Sequence, residues 1–206
     1  MVTAPKPSPT PAPAPPSLRD RTVRLVRAEV GAVAIRLFIE QGFDNTTVDQ
    51  IAAAAGMSRT SFFRYFATKE DLVLGHLDEV GQQVLASLAA RPESEPVWQS
   101  LHHALDALMQ EAAASPEDNL RLARMLRETP ALRVRQFGKQ MGWHALLTPE
   151  VARRLHVVDE ARDPRPRALV AAAMACLNAA VETWSAADGA IELPLLLDQA
   201  MSAPAG

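Results

Sequence analysis

An all-α fold is predicted for this chain, and three observations predict it. From Leu18 onward, apolar residues recur at helical spacing in almost every segment. No run alternates convincingly with period two, and no Asn-Gly or Asp-Gly pair separates two β-branched runs, so hairpin signals are absent. Gly, Ser and Thr punctuate the periodic segments where helix stops and caps belong. The expected layout is an arm over 1–17, a three-helix unit over 18–72 and a helical bundle over 73–206.

Seven of the sixteen prolines lie in the first sixteen residues, which favours an extended, disordered arm. In "LRDRTVRLVRAEVGAVAIRLFIEQGF", Val26, Val30, Val33, Ala34 and Leu37 form a helical stripe. Gly42 supplies a left-handed stop and Phe43 packs back on the last turn. In "TTVDQIAAAAG", Thr47 and Gln50 are spaced as a capping box, Val48, Ile51, Ala52 and Ala55 make the buried stripe, and Gly56 ends the helix. Ser58 caps a short third helix. Thr68, with Asp71 three residues on, caps a long fourth one whose buried face is Val73, Leu77, Val80, Val84 and Leu88. Further helices follow between Pro96 and Ser115, from Ser115 and Pro116 to Thr129, over 130–155 as one helix or two, from Asp163 to Gly189, and over "LPLLLDQAM".

Composition excludes several classes. The longest unbroken apolar run, Leu169 to Leu177, is well short of the roughly 20 residues of a spanning helix. The N-terminus has no hydrophobic h-region of a secretory signal. One cysteine, Cys176, rules out an intrachain disulfide and reads as a small buried hydrophobe. A soluble, cytoplasmic protein without a membrane partner is expected. The net charge of −3 divides into +2 over 1–71 (nine Lys and Arg, seven Asp and Glu) and −5 over 72–206 (twelve and seventeen). That mildly basic front permits a polyanion at one end without establishing it.

The stretch "SRTSFFRYF" holds four of the ten aromatics in the chain. Two short helices joined by a Gly-containing turn are the helix-turn-helix unit, whose second helix enters the DNA major groove. On a wheel of 100° per residue, Phe62 and Phe66 face inward against Ile51 and the first helix. Thr60 and Arg64 point the opposite way, Ser61 and Phe63 flank them, and Arg59 stands at the free N-terminus. Arginine can bond guanine bidentately, hydroxyls can bond bases or phosphates, and a ring can meet a thymine methyl. Arg59, Thr60, Ser61, Phe63 and Arg64 are therefore the candidate base-facing residues. Thr47 and Ser58 sit at helix N-termini, which favour phosphate. Lys69 begins the next helix beside the same face, and Tyr65 lies at the reading edge.

The run "TTVDQIAAAAGMSRTSFFRYFATKEDL", following a helix that ends "LFIEQGF", resembles the N-terminal domain of the tetracycline-repressor (TetR) family of bacterial transcriptional regulators over roughly residues 22–72. "LRETPALRVRQF" and the segment from Leu177 to Met201 resemble a subset from actinobacteria similar to the mycofactocin-type regulators. The resemblance implies phosphate contacts at Thr47, Tyr65 and Lys69 and base-facing positions from Ser58 to Ser61. Two departures bear on which operator is preferred: Phe63 stands where a tyrosine is usual, and Thr60 replaces a frequent glycine.

For the larger half the resemblance implies an effector-binding and dimerisation domain. Met109, Met125, Phe137, Met141, Trp143 and Met174 suit a pocket for an apolar ligand, and suit an ordinary core equally well. Arg121, Arg124 and Arg127 share a stripe that either greets an anionic head group or is solvated; Arg124 is the candidate. The subset's association with acyl thioesters implies a small apolar or acyl-type effector. The helix "LVAAAMACLNAAVETW" is apolar around most of its circumference, which points to a homodimer interface at Ala175, Asn178, Ala179 and Trp184. Asn178, sharing a face with Met174 and Val181, is expected to be buried and to need a partner, across a dimer interface, in the pocket or in the core. "GKQMG" at 138–142 suggests close helix packing or a local irregularity. Adjacent His102 and His103 point about 100° apart and cannot serve one metal.

Three functions compete. The leading one is a homodimeric, ligand-responsive repressor on a palindromic double-stranded DNA operator. A second is a helix-turn-helix regulator controlled by a partner protein. The third, an all-helical enzyme, finds no nucleophile–base constellation, Gly-rich phosphate loop or paired-carboxylate motif, so no catalytic residue, metal or cofactor is expected.

Overall fold

A computed structural model describes residues 17–75, 77–113 and 115–203. The proline-rich arm expected over 1–17 lies, apart from Ser17, outside them. Ten helices and no strand form among the described residues: α1 Leu18–Gln41, α2 Val48–Ala54, α3 Arg59–Tyr65, α4 Glu70–Leu74, α5 Leu77–Ala89, α6 Val97–Ala113, α7 Pro116–Glu128, α8 Pro130–Arg154, α9 Arg165–Ala186 and α10 Leu193–Ser202. The all-α class stands.

Two apolar cores organise them. The first joins Val30, Ala34 and Phe38 of α1 to Phe43, Ile51, Ala52, Phe62, Phe66, Leu72, Val73 and Leu74, and it also takes in Leu132 from the start of α8. The second gathers α5, α6, α8, α9 and α10 around Leu101, Leu105, Leu147, Val151, Met174 and Leu197. The α1 stripe is rotated slightly from the expected one: Val30, Ala34 and Phe38 are buried, whereas Val26, Val33 and Leu37 are half-buried.

The expected punctuation of the first three helices is present. Thr47 and Gln50 form a complete capping box, and the Ser58 hydroxyl accepts from the Ser61 N–H. Gly42 and Gly56 have φ of 84° and 66°, and at Gly56 this left-handed residue closes the turn between α2 and α3, a conformation costly to any residue with a Cβ.

The fourth helix departs from expectation. It is divided into α4 and α5, and a Cβ at Gly75 would collide with the carbonyl oxygen of Asp71. Thr68 does not cap it; its hydroxyl is buried without a partner. Asp71 does the capping instead, one carboxylate oxygen accepting from the Ala67 and Thr68 N–H groups at 3.0 Å each. Ser115 precedes α7 without a side-chain cap bond. Segment 130–155 is one helix that continues through Pro149. Gly138 and Gly142 have open space where a Cβ would stand, so neither close packing nor an irregularity explains their spacing.

α9 has the length and composition of a membrane span, yet nine of its residues are buried against its neighbours, as in a core helix. The turn between α5 and α6 is fastened by a polar knot. Glu95 accepts from Arg91 at 2.5 and 2.8 Å and from the Ser100 hydroxyl at 2.8 Å, and its other neighbour is His103 Nδ1 at 2.9 Å. Buried Arg154, at the end of α8, donates to Ser100 Oγ and to the carbonyls of Arg91 and Pro92.

The Arg91 hydrogen bond, helped by Ser100 and His103, holds the Glu95 carboxyl at about 2, below its ordinary 4.5. A depressed carboxylate contributes stability that is present above the ordinary value and lost as pH falls through the folded one. The expected result is that Glu95→Gln lowers the melting temperature at pH 7, and that the gap to wild type shrinks between pH 4.5 and 2. Circular-dichroism melts across that range check it.

Candidate nucleic-acid interface and ligand cavity

The reading surface is set by what α3 must bury. Phe62 is wholly buried and Phe66 nearly so, their ring centroids 5.1 Å apart beneath the helix. Arg59, Thr60 and Arg64 are then turned to solvent, Phe63 is 46% exposed, and Ser61 is half-buried in its bond to Ser58. Thus four of the five candidate base-facing side chains share an exposed surface. Arg59 Nη1 donates to both carboxylate oxygens of Asp49 on α2, at 2.9 and 2.8 Å, and its guanidinium carbon lies 5.4 Å from the Phe63 ring centroid.

The candidate phosphate-facing residues are less uniform. Thr47 and Ser58 stand exposed at the starts of α2 and α3. Tyr65 is half-buried, and its hydroxyl accepts from Arg64 Nη2 at 3.3 Å. Lys69 is turned inward: its ammonium donates to the carbonyls of Phe43 at 2.8 Å and Thr46 at 3.4 Å, 4.3 Å from the Phe43 ring centroid. An ammonium has three hydrogens, so one remains for a phosphate. The sequence reading missed Arg27, which fastens the end of α3 to α1 by donating to the Tyr65 carbonyl from Nε at 3.2 Å and Nη2 at 2.8 Å. Its partner is a backbone atom 38 residues away, which no spacing rule reveals.

The other oxygen of Asp71 accepts from Arg135 Nη1 of α8 at 2.7 Å. One carboxylate therefore caps the turn after the reading helix and grips α8. A second ion pair, Lys139 to Asp78, ties α8 to α5.

A cavity of about 760 Å³ opens between α5, α6, α7, α8 and α9. Three helical stripes converge on it: Asn119, Leu122, Ala123, Leu126 and Arg127 of α7; Arg133, Gln136, Phe137, Gln140 and Trp143 of α8; and Met174, Leu177, Asn178, Val181 and Glu182 of α9. Of the seven candidate pocket residues, Met109, Phe137, Trp143 and Met174 line it. Arg124, Met125 and Met141 do not. Arg124 pairs with Asp188 at 2.6 Å, Met125 packs against the N-terminal core, and Met141 is 51% exposed. Arg127, one position round the wheel from Leu126, takes the place expected of Arg124. Trp143 donates to the Leu77 carbonyl at 2.9 Å, its indole lying against Gly81, where any Cβ would come within 2.7 Å of it.

Asn178 is half-buried and has its partner in the cavity wall: its amide and that of Gln140, also half-buried, bond reciprocally at 2.6 and 3.3 Å. Trp184 is likewise in the core beside the cavity. Of the places open to Asn178, the cavity wall against α8 is the one in which its partner is found, and Trp184 leaves little surface for a subunit contact. Ala175 and Ala179 lie on an exposed face of α9 together with Ala168 and Ala171. Cys176 is buried, burial pushes its thiol upward, and its Sγ lies 3.2 Å from the Ala200 carbonyl.

Similarity to known proteins accounts for both halves. Residues 32–75 match bacterial regulatory proteins of the tetR family, and residues 95–205 match the MftR C-terminal domain. The chain is 30% identical over 175 residues to the HTH-type transcriptional regulator TcmR of Streptomyces glaucescens, covering 82% of this chain and 77% of that one. It is 31% identical over 129 residues to the putative mycofactocin biosynthesis transcriptional regulator MftR of Mycobacterium tuberculosis, covering 61% and 63%. Its fold is shared by FadR of Thermus thermophilus, a TetR-family repressor solved with lauroyl-CoA (TM-score 0.55, 23% identity, 85% of this chain and 91% of that one). The SmeT–triclosan complex is similar too (TM-score 0.62, 17% identity, 87% and 91%). These relatives are regulators of transcription, not enzymes, and this chain belongs with them: it is a DNA-binding transcriptional regulator of the tetR family, related to the mycofactocin regulators.

Proposed function

We propose that the protein is a homodimeric repressor that binds a palindromic operator in the bacterial cytoplasm and leaves it when an apolar or acyl-type ligand fills the cavity. In this reading residues 18–72 hold the DNA and 73–206 hold the ligand and the partner subunit. The observation that carries it is the cavity's position: Leu77, Leu122 and Leu126 line it and also pack against the core beneath the reading helix. Its volume falls within the range of about 300–1,000 Å³ usual for small-molecule sites. The partly apolar lining includes two exposed guanidiniums suited to an anionic head, Arg133 and Arg127, the latter also paired with Glu128 at 3.3 Å. The lauroyl-CoA and triclosan complexes of structurally similar proteins support a ligand of this kind. Ligand shifts the conformational balance only by its differential affinity for the two states, typically about 1–3 kcal/mol.

Arg59, Thr60, Ser61, Phe63 and Arg64 face bases in this reading, and Thr47, Ser58, Tyr65 and the remaining Lys69 hydrogen meet phosphates. Two reading helices would sit about 34–36 Å apart, one DNA turn. In this reading the subunit interface lies on α9 and α10, a choice supported by the exposed small-residue face of Ala168, Ala171, Ala175 and Ala179 and by Leu195, which is 50% exposed.

Arg59→Ala is expected to lose about 1–3 kcal/mol on the cognate duplex and to relax discrimination at one base pair per half-site. Lys69→Ala should weaken cognate and random duplexes alike and flatten the salt dependence by about one. Salt-dependent binding titrations separate the two, and equal loss of discrimination from both would refute the assignment.

Lauroyl-CoA is expected to quench tryptophan fluorescence, because Trp143 and Trp184 both line the cavity, and to release bound operator over the same concentrations. Arg133→Ala should weaken that binding about tenfold, the loss of one charge-assisted bond. Titration without a fluorescence change and without operator release would remove acyl thioesters as effectors.

Ala175→Arg or Ala179→Arg is expected to give a monomer that keeps its helical content but loses tight operator binding, since the second half-site contact gains from effective concentration. Sedimentation checks it. Dimers that persist in both variants would move the interface elsewhere.

A further inference from the structure

Among the described residues, the only base-facing candidate paired to a carboxylate is Arg59, and its partner belongs to the other helix of the motif. Asp49 stands in the first turn of α2, where the helix dipole favours a carboxylate. Both of its oxygens receive the same nitrogen of Arg59, Nη1, at 2.9 and 2.8 Å. From the side, the Phe63 ring lies 5.4 Å from the guanidinium carbon, one helical turn along α3. Both charged side chains are well exposed, 61% and 64%, so the pair adds little to stability. Its effect is geometric.

A guanidinium carries five N–H donors, two on each terminal nitrogen and one on Nε. With Nη1 taken by Asp49 and one face against Phe63, the Nη2–Nε edge remains free. That edge offers two parallel donors, the pattern that meets guanine O6 and N7. We infer that Asp49 is a specificity-determining positioning residue, which holds the Arg59 fork with its Nη2–Nε edge toward a guanine and opposes binding where no guanine is present. The second part follows from charge. A carboxylate beside the phosphate backbone repels every duplex, and only a sequence that uses the oriented fork recovers the loss. The inference rests on the reading of Arg59 as base-facing.

The test selects duplexes from a randomised pool with wild-type protein. Base preference at every position is then measured on the selected duplex for Arg59→Ala, Asp49→Ala, Asp49→Asn and the Arg59→Ala/Asp49→Ala double variant, with random duplex in parallel. A guanine preference is expected at one position per half-site, lost in Arg59→Ala. Asp49→Ala should reduce that same preference about tenfold, within the range of a bidentate contact, and bind random duplex more tightly than wild type. Asp49→Asn retains an acceptor oxygen at the helix start without the charge. It should keep part of the guanine preference while sharing the tighter random binding, and it serves if the alanine variant folds poorly. In the double variant, removing Asp49 should cost no further discrimination. If Arg59→Ala abolishes the preference and both Asp49 variants leave it intact, or shift all positions evenly, Asp49 is a repelling charge only and the inference falls. If Arg59→Ala itself leaves every preference unchanged, the base-facing reading falls first.

Discussion

The burial of Phe62 is the constraint on which the DNA-binding end depends. Its ring is wholly enclosed with Ile51, and Phe66 packs beside it, so α3 has one permitted rotation about its own axis. Exposing a phenylalanine of this size costs roughly 1.5–3 kcal/mol, enough to hold a seven-residue helix that has little stability of its own. Because that rotation is fixed, Arg59, Thr60, Phe63 and Arg64 present a prepared surface. Arg27 from α1 and Asp71 from α4 secure the two sides of the turn that follows.

Burial shapes the larger half too, with the opposite outcome. The cavity is the space left between three helices: α7 and α9 line it mainly with apolar side chains such as Leu122, Leu126, Met174 and Val181, while α8 sets Phe137 and Trp143 among Arg133, Gln136 and Gln140. In its wall Asn178 and Gln140 satisfy one another, whereas the buried Ser185 hydroxyl has no partner. A reciprocal amide pair leaves neither group unpaired, and so avoids the penalty of roughly 1–3 kcal/mol for a buried unsatisfied polar group.

What was legible in the sequence was local. The capping box at Thr47, the cap at Ser58, the turn at Gly56 and the inward phase of Phe62 and Phe66 all depend on neighbours within a few residues, and each is found where the spacing puts it. The division of residues between cavity and surface was not legible, because it depends on which neighbour a helix face meets. Arg124 and Arg127 share one stripe in sequence, yet the first meets Asp188 and the second the cavity. Asn178 and Ala179 are adjacent, yet one faces α8 and the other solvent. Thr68 has the composition of a cap, but Asp71 reaches back far enough to satisfy both free N–H groups alone. The Asp49–Arg59 pair was hidden for the same reason: ten residues separate two helix starts that only the turn brings together.

Leu132 has a consequence for how the molecule can be taken apart. It belongs to α8, far beyond α3 in the chain, yet it is wholly buried in the N-terminal core. A cut placed after residue 72 or 75 would leave a leucine-sized hole there and strip away the ion pair between Asp71 and Arg135. Truncating a buried leucine to alanine alone costs about 2–5 kcal/mol, a large part of what a small domain has. The DNA-binding end is therefore a head seated on a plug from the larger helical body. Insertions, fusions and domain exchanges that respect the sequence boundary would still unseat it unless the start of α8 travels with it.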